Sequence, residues 1–208
     1  MFEKMEYLHC FLMWLFIFLC PFVFADAQDP GDRVLAPMVD TSFNGNISDG
    51  PTSGRAVGVQ PDGKVVVGGG PLVNGVLRDG IARFNVDGSL DTGFNPTISA
   101  DLSVIRFQSD GKILIGGNTT VGRIVRLNSD GSIDQSFVPG SAANDAVYDI
   151  LLLPDGKIII VGAFTQYNGM PASHMARLNP NGVLDPAFSA PAIDGNIHKV
   201  VLQPDSKV

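Results

Sequence analysis

Arginine and aspartate recur eight residues apart at three places in this 208-residue chain: Arg83 with Asp91, Arg126 with Asp134, and Arg177 with Asp185. Three guanidinium groups at matched places could form a ring of anion sites. The same spacing across a hairpin makes a cross-strand ion pair instead, worth roughly 0.2–1 kcal/mol. A turn that pairs Asn85 with Ser89 sets residue 83 opposite residue 91, and a group present in every copy of a repeat is framework before it is a site. Oxygen-bearing residues also alternate, at Asn85, Asp87, Ser89 and Asp91 and again at Asn128, Asp130, Ser132 and Asp134. Calcium loops use such spacing. Here, however, Gly88 stands fourth rather than sixth, no bidentate Glu follows, and the third copy has Asn181 and Val183. Ordinary turn chemistry accounts for this composition.

Other candidates break the repeat. Asp101, Asp145 and Asp149 could supply two carboxylates some 5–9 Å apart for glycoside hydrolysis, chemistry that needs a separation rather than a motif. Beyond residue 27 the histidines are His174 and His198, neither with a Ser or Cys partner at a motif spacing, and no Gly-x-Ser-x-Gly is present. Asp145, Tyr148, Asp149, Tyr167, His174 and His198 differ from copy to copy, and variable positions on one face of a repeat protein often form its binding surface. No catalytic, cofactor or metal residues are assigned from these patterns. Asn46-Ile47-Ser48 and Asn118-Thr119-Thr120 match the acceptor sequon for N-glycosylation.

The elements that hold these residues are themselves repeated. Gln60-Pro61-Asp62-Gly63-Lys64 followed by Val65-Val66-Val67-Gly68-Gly69 returns at 108–117 and 153–162, and begins once more at Gln203-Pro204-Asp205-Ser206-Lys207-Val208. A second signature, Ile81-Ala82-Arg83-Phe84-Asn85 through Asp91 and Phe94, returns at 124–137 and 175–188; its tail alone appears at Asp40-Thr41-Ser42-Phe43. The tail aspartates at 40, 91, 134 and 185 are 51, 43 and 51 residues apart, as loops of unequal length on a constant framework would be. Each copy predicts four short strands: one before the Pro-Asp-Gly turn, an apolar run after the Lys, the Ala-Arg-Leu-Asn type strand, and a short last strand beyond an Asp-Gly or Asn-Gly turn. The second strands decide the architecture. Val65–Val67, Ile113–Ile115 and Ile158–Val161 are continuously apolar rather than alternating, so both faces are covered. They are short, β-branched and bounded by Gly, which favours strand over buried helix. Four-stranded antiparallel sheets covered on both faces by copies of themselves are propeller blades. The expected fold is all-β: an incomplete β-propeller over 40–208, with three full repeats and the start of a fourth. Because three repeats and a fragment cannot close a ring, the chain is expected to be the N-terminal portion of a longer protein.

The first stretch lies outside this fold. Cys10 to Ala25 is apolar but, at 16 residues, short of the ~20 a spanning helix needs. It ends in Ala25-Asp26-Ala27, which predicts a signal peptide over 1–27 cleaved after Ala27, then a polar leader over 28–39. Both cysteines, Cys10 and Cys20, fall in the excised part, so the remainder has no disulfide and no cysteine metal site. That part carries Lys4 against Glu3, Glu6 and Asp26, a net of −2, so the mature chain keeps −5 of the total −7. A mildly acidic chain is a poor partner for nucleic acid or anionic membranes.

The Asp62-Gly63-Lys64 to Gly69 segment and the Ile81 to Phe94 segment, with their copies, resemble the delta-60 repeat family of secreted bacterial proteins, over about residues 40 to 208. The resemblance implies a β-propeller on a secreted or surface-attached protein, often with further domains downstream, and no reaction or ligand. Repeat two departs from its neighbours in lacking the hairpin that repeats one and three carry around Asn74-Gly75 and Asn168-Gly169, and repeat four has Ser206 where the others have Gly. The expected role is a non-catalytic binding or display module whose partner is an extracellular glycan or protein. The alternatives are a secreted hydrolase or lyase with its site on a propeller face, and a calcium-dependent adhesion module.

Overall fold

A computed structural model describes residues 47–48, 56–69, 72–73, 76–78, 80–98 and 100–208. These fall in one compact unit, residues 43–208. The expected signal peptide, leader and Asp40–Phe43 tail lie outside the described residues.

Every described element is a strand, and three antiparallel sheets carry the repeats. In the first, β2 (Ala56–Val59), β3 (Val65–Gly68) and β6 (Ile81–Phe84) run in that order; in the second, β7 (Ala100–Phe107), β8 (Ile113–Thr119) and β9 (Gly122–Leu127); in the third, β10 (Val147–Leu152), β11 (Ile158–Gly162) and β14 (Met175–Leu178). Two small hairpins extend repeats one and three, as expected from their Asn-Gly pairs: β4 (Leu72–Val73) with β5 (Val76–Leu77), and β12 (Gln166–Tyr167) with β13 (Met170–Pro171). The first of these also pairs with β1 (Ile47–Ser48). In repeat two, β8 runs directly into β9.

The fourth strand is shorter than the sequence predicts. It is reduced to single bridges, Phe84 to Leu90, Leu127 to Ile133 and Leu178 to Leu184. The reason lies in the next residue. Asp91 donates its backbone N–H to the Arg83 carbonyl at 2.8 Å, then its carboxylate accepts the Gly93 N–H at 3.0 Å and its carbonyl the Phe94 N–H at 3.2 Å, turning the chain off the sheet edge.

Strands β3 and β11 are buried throughout, and β8 over residues 113–117, on both faces. In β8, Ile113 and Ile115 join Val66, Leu102 and Ile105 in the core between the first and second sheets. Leu114, between them, joins Val104, Val147, Ile150 and Ile160 in the core between the second and third. A strand that alternates between two cores has no wet face, which is why its sequence does not alternate in polarity.

Each first turn has the same construction. Gly63, Gly111 and Gly156 sit at φ 83, 82 and 81°, where a side chain is disfavoured, and the turn Asp accepts the N–H of the following Lys. Ser206 takes the same left-handed conformation, φ 66°, and its turn closes with the Gln203 N–H to Lys207 carbonyl bond at 2.7 Å, so the substitution leaves the turn geometry intact. The expected first strand of that fourth copy, which includes His198, pairs with no strand among the described residues.

Candidate functional site

The recurring charges are taken up by framework, as their repetition suggests. Arg83 Nε meets Asp91 Oδ2 at 2.9 Å, Arg126 meets Asp134 at 2.7 Å, and Arg177 meets Asp185 at 2.8 Å. A third partner was not anticipated: the lysine of the first turn. Lys64, Lys112 and Lys157 reach the same Oδ2 atoms at 2.8, 2.9 and 2.9 Å. Each guanidinium also lies over the tail phenylalanine, 4.4 Å from the Phe94 centroid and 4.8 Å from those of Phe137 and Phe188.

These units join one repeat to the next. Arg83 Nη1 donates to the Ser129 carbonyl and Arg126 Nη1 to the Pro180 carbonyl, both at 2.6 Å, and each acceptor stands in the second turn of the following repeat. The tail phenylalanine packs on the glycine of that same turn. A Cβ on Gly131 would stand 3.1 Å from Phe94, and one on Gly182 2.8 Å from Phe137. A sequence signal for this existed in the joint recurrence of Arg, Phe and turn Gly, but only the stacking direction reveals which repeat each one touches.

The electrostatics follow. At Asp91 the Lys64 ammonium lowers the carboxyl below its ordinary range, against the effect of burial and with help from Arg83. At Asp134 burial pushes upward, but bonds from Ser136, Lys112 and Arg126 outweigh it and hold the group well below the usual carboxylate range. Asp185 is held down at about 2 by Lys157 first, then the Ala187 N–H and Arg177. Such carboxylates stay ionised and paired, so the ring-of-anion-sites reading has no free guanidinium in the first two repeats.

The alternating-oxygen loops are likewise engaged internally. Asp87 Oδ1 accepts from the N–H and hydroxyl of Ser89, Asn85 donates to that hydroxyl, and Asp130 with Ser132 and Asn128 repeats the pattern. Among the described residues no cluster of three or more His, Cys, Asp or Glu side chains is placed to hold a metal.

The residues that break the repeat sort into three groups. Tyr167 and His174 are structural. Tyr167 is fully buried, donates to the Gly182 carbonyl at 2.7 Å, and has its hydroxyl pKa pushed up by burial. His174 sits at φ 63° with its N–H shared between the Phe164 and Ala172 carbonyls. Asp101 and Asp145 are exposed, and Asp145 accepts the Ala146 N–H at 2.7 Å.

Tyr148, Asp149 and His198 come together. The ladder between β10 and β11 shifts register between Val147 and Asp149, leaving Tyr148 as a bulge, and the β7–β8 ladder shifts at the equivalent residue, Ser103. Bulges re-aim side chains. Each bulge lies beside a glycine that nothing larger can replace. A Cβ on Gly117 would stand 2.3 Å from the Asp101 carbonyl oxygen, and one on Gly162 2.1 Å from that of Ala146. His198 holds the same place relative to its own turn and stacks on Tyr148, with centroids 5.0 Å apart and rings 3° from parallel.

Asp149, the next residue along β10, is buried. Its Oδ1 takes Arg106 Nη2 at 2.5 Å and the Ile150 N–H at 3.0 Å; its Oδ2 takes the Val200 N–H at 3.2 Å, with Lys199 at 3.9 Å. Arg106 also donates from Nε to the Ile150 carbonyl. Its signal in the sequence was its position: the equivalent residues in the other copies are Gly58, Leu151 and Val201.

Three segments, 60–94, 108–137 and 153–188, match a family model described as "Domain of unknown function (DUF5122) beta-propeller". These are β-propeller repeats. Among solved structures, the propeller repeats resemble virginiamycin B lyase from Staphylococcus aureus at 21% identity and a TM-score of 0.46, over 67% of this chain and 42% of that one. A catalytically inactive form of that lyase, with quinupristin, gives 22% identity and a TM-score of 0.43 over 64% and 40%. A protein of unknown function from Bacteroides caccae gives 13% and 0.38 over 66% and 67%. The chain thus spans about two fifths of the length of either lyase chain. No curated protein matches it.

Proposed function

We propose that this chain is part of an exported, non-catalytic binding or display module, with delta-60-type repeats, and that its binding face is the one carrying Tyr148 and His198. The observation that carries this reading is the division of labour among the side chains. Groups repeated in every blade are consumed by the Lys–Asp–Arg–Phe joints, whereas the non-repeated Tyr148 and His198 are brought ring to ring from successive repeats, with His198 exposed. Scaffolds that hold variable side chains on a constant framework are built for recognition. Against catalysis at this face, both oxygens of Asp149 are already occupied by Arg106 and by backbone N–H groups, and Asp145 is solvent-exposed with its carboxylate capping Ala146. Export rests on the apolar Cys10–Ala25 stretch and the Ala25-Asp26-Ala27 sequence.

The test applies the exported protein to arrays of extracellular glycans and extracellular proteins. Binding that is lost in Tyr148→Ala and kept in Arg177→Leu is the expected result. Chemical turnover of an arrayed compound, or binding indifferent to Tyr148, overturns the reading. Sequencing the N-terminus of the exported form should give Gln28 first.

A further inference from the structure

The bulge position carries a different side chain in each repeat: Ser103 on β7, Tyr148 on β10, and His198 at the equivalent place before the Asp205 turn. His198 covers one face of the Tyr148 ring. The step that leads from His198 to Tyr148, taken once more in the same direction, leads to Ser103, whose strand packs against β10. There the side chain is a hydroxymethyl group, and Tyr148 is only partly buried. At the place where the row would continue with a third ring, the neighbouring strand therefore carries a small polar residue.

We propose that the face of Tyr148 not covered by His198, toward Ser103, is a stacking subsite for a pyranose ring of a β-linked glycan, an assignment that rests on the binding face argued above. A pyranose with equatorial substituents has a flat patch of axial C–H bonds on one side and hydroxyls radiating in the plane of the ring. The patch packs on an aromatic face, and the hydroxyls need polar partners at its rim. Polar groups stand near it in the repeat: Ser103 at the equivalent place on the neighbouring strand, the exposed Asp145 three residues before the tyrosine, and Lys199, 73% exposed, next to His198. The tyrosine is held from behind by His198 and its strand by the Arg106–Asp149 bond, so little ordering is left to binding.

Saturation-transfer NMR on the exported protein tests the assignment, with cellotetraose, xylotetraose and chitotetraose as probes. The strongest saturation is expected at the axial H1, H3 and H5 protons of one sugar face. Affinity should fall about tenfold or more in Tyr148→Ala and persist in Tyr148→Phe, which keeps the ring. Ser103→Trp, whose indole would fill the place of the sugar, should abolish binding while far-UV circular dichroism stays unchanged. Sugar binding that survives both Tyr148→Ala and Ser103→Trp overturns the subsite. Tyr148-dependent binding of arrayed proteins with none of the glycans overturns the sugar class and leaves the binding face standing. No Tyr148-dependent binding of any kind removes both.

Discussion

Replacing Arg126 with leucine should destabilise the protein by about 2–3 kcal/mol, and replacing Arg177 in the same way by about 1 kcal/mol or less. The difference is worked from the joints between repeats. Arg126 holds Asp134 at 2.7 Å, the Pro180 carbonyl of the next repeat at 2.6 Å and the Ser136 hydroxyl at 3.1 Å, and lies over Phe137. A hydrogen bond to a charged group contributes about 1.5–3 kcal/mol, and a cation over an aromatic ring about 0.5–2 kcal/mol; within one side chain these do not add in full. Lys112 remains on Asp134 at 2.9 Å in the variant, so the carboxylate is not orphaned, and leucine refills part of the apolar volume. Arg177 keeps the ion pair and the ring contact, but among the described residues no carbonyl of a following repeat meets it, and its side chain is 25% exposed. Urea denaturation followed by far-UV circular dichroism measures both variants, since the sole tryptophan is Trp14, within the expected signal peptide. For a chain of this size the Arg126 loss corresponds to a fall in Tm of about 4–12 °C. Equal losses at the two positions, or a larger one at Arg177, would refute the assignment of stability to the bond between repeats.

Gly162→Ala should cost about 3 kcal/mol, because its Cβ would stand 2.1 Å from the Ala146 carbonyl oxygen and force the bulge at Tyr148 to move; thermal melting measures this, and a change below 1 kcal/mol contradicts the close approach. Acid should unfold the protein between about pH 4 and pH 2. Asp91, Asp134 and Asp185 all have lowered carboxyl pKa values in the folded state, Asp185 at about 2, so their stabilisation is present above the unfolded value near 3.9 and is lost as pH falls through the folded values. A circular dichroism titration flat down to pH 2 would contradict those pairings.

Much of the architecture was legible because repetition and polarity encode it directly. The unbroken Val65–Val67, Ile113–Ile115 and Ile158–Val161 runs state that both faces are covered, and the Asp-Gly turns fix the hairpin registers, including residue 83 opposite 91. The brevity of the fourth strand was not legible, because it follows from the Asp91 carboxylate capping a turn rather than from strand propensity. The candidate face was legible only as a set of residues that differ between copies. Tyr167 and His174 belong to that set and are packing, while Arg106, outside it, binds Asp149. What separates them is the register shift at Tyr148 and the order in which sheets stack, and both are properties of paired strands that a single strand's sequence does not express.

Native-state hydrogen exchange tests the central claim most directly, that each second strand is sealed between neighbouring sheets. The amides of Ile113–Ile115 and Ile158–Val161 should be among the slowest to exchange, opening only near the global unfolding free energy, while the hairpin of Gln166–Tyr167 and Met170–Pro171 exchanges much sooner. Exchange at Ile113–Ile115 as fast as in that hairpin would contradict a stacked-blade fold.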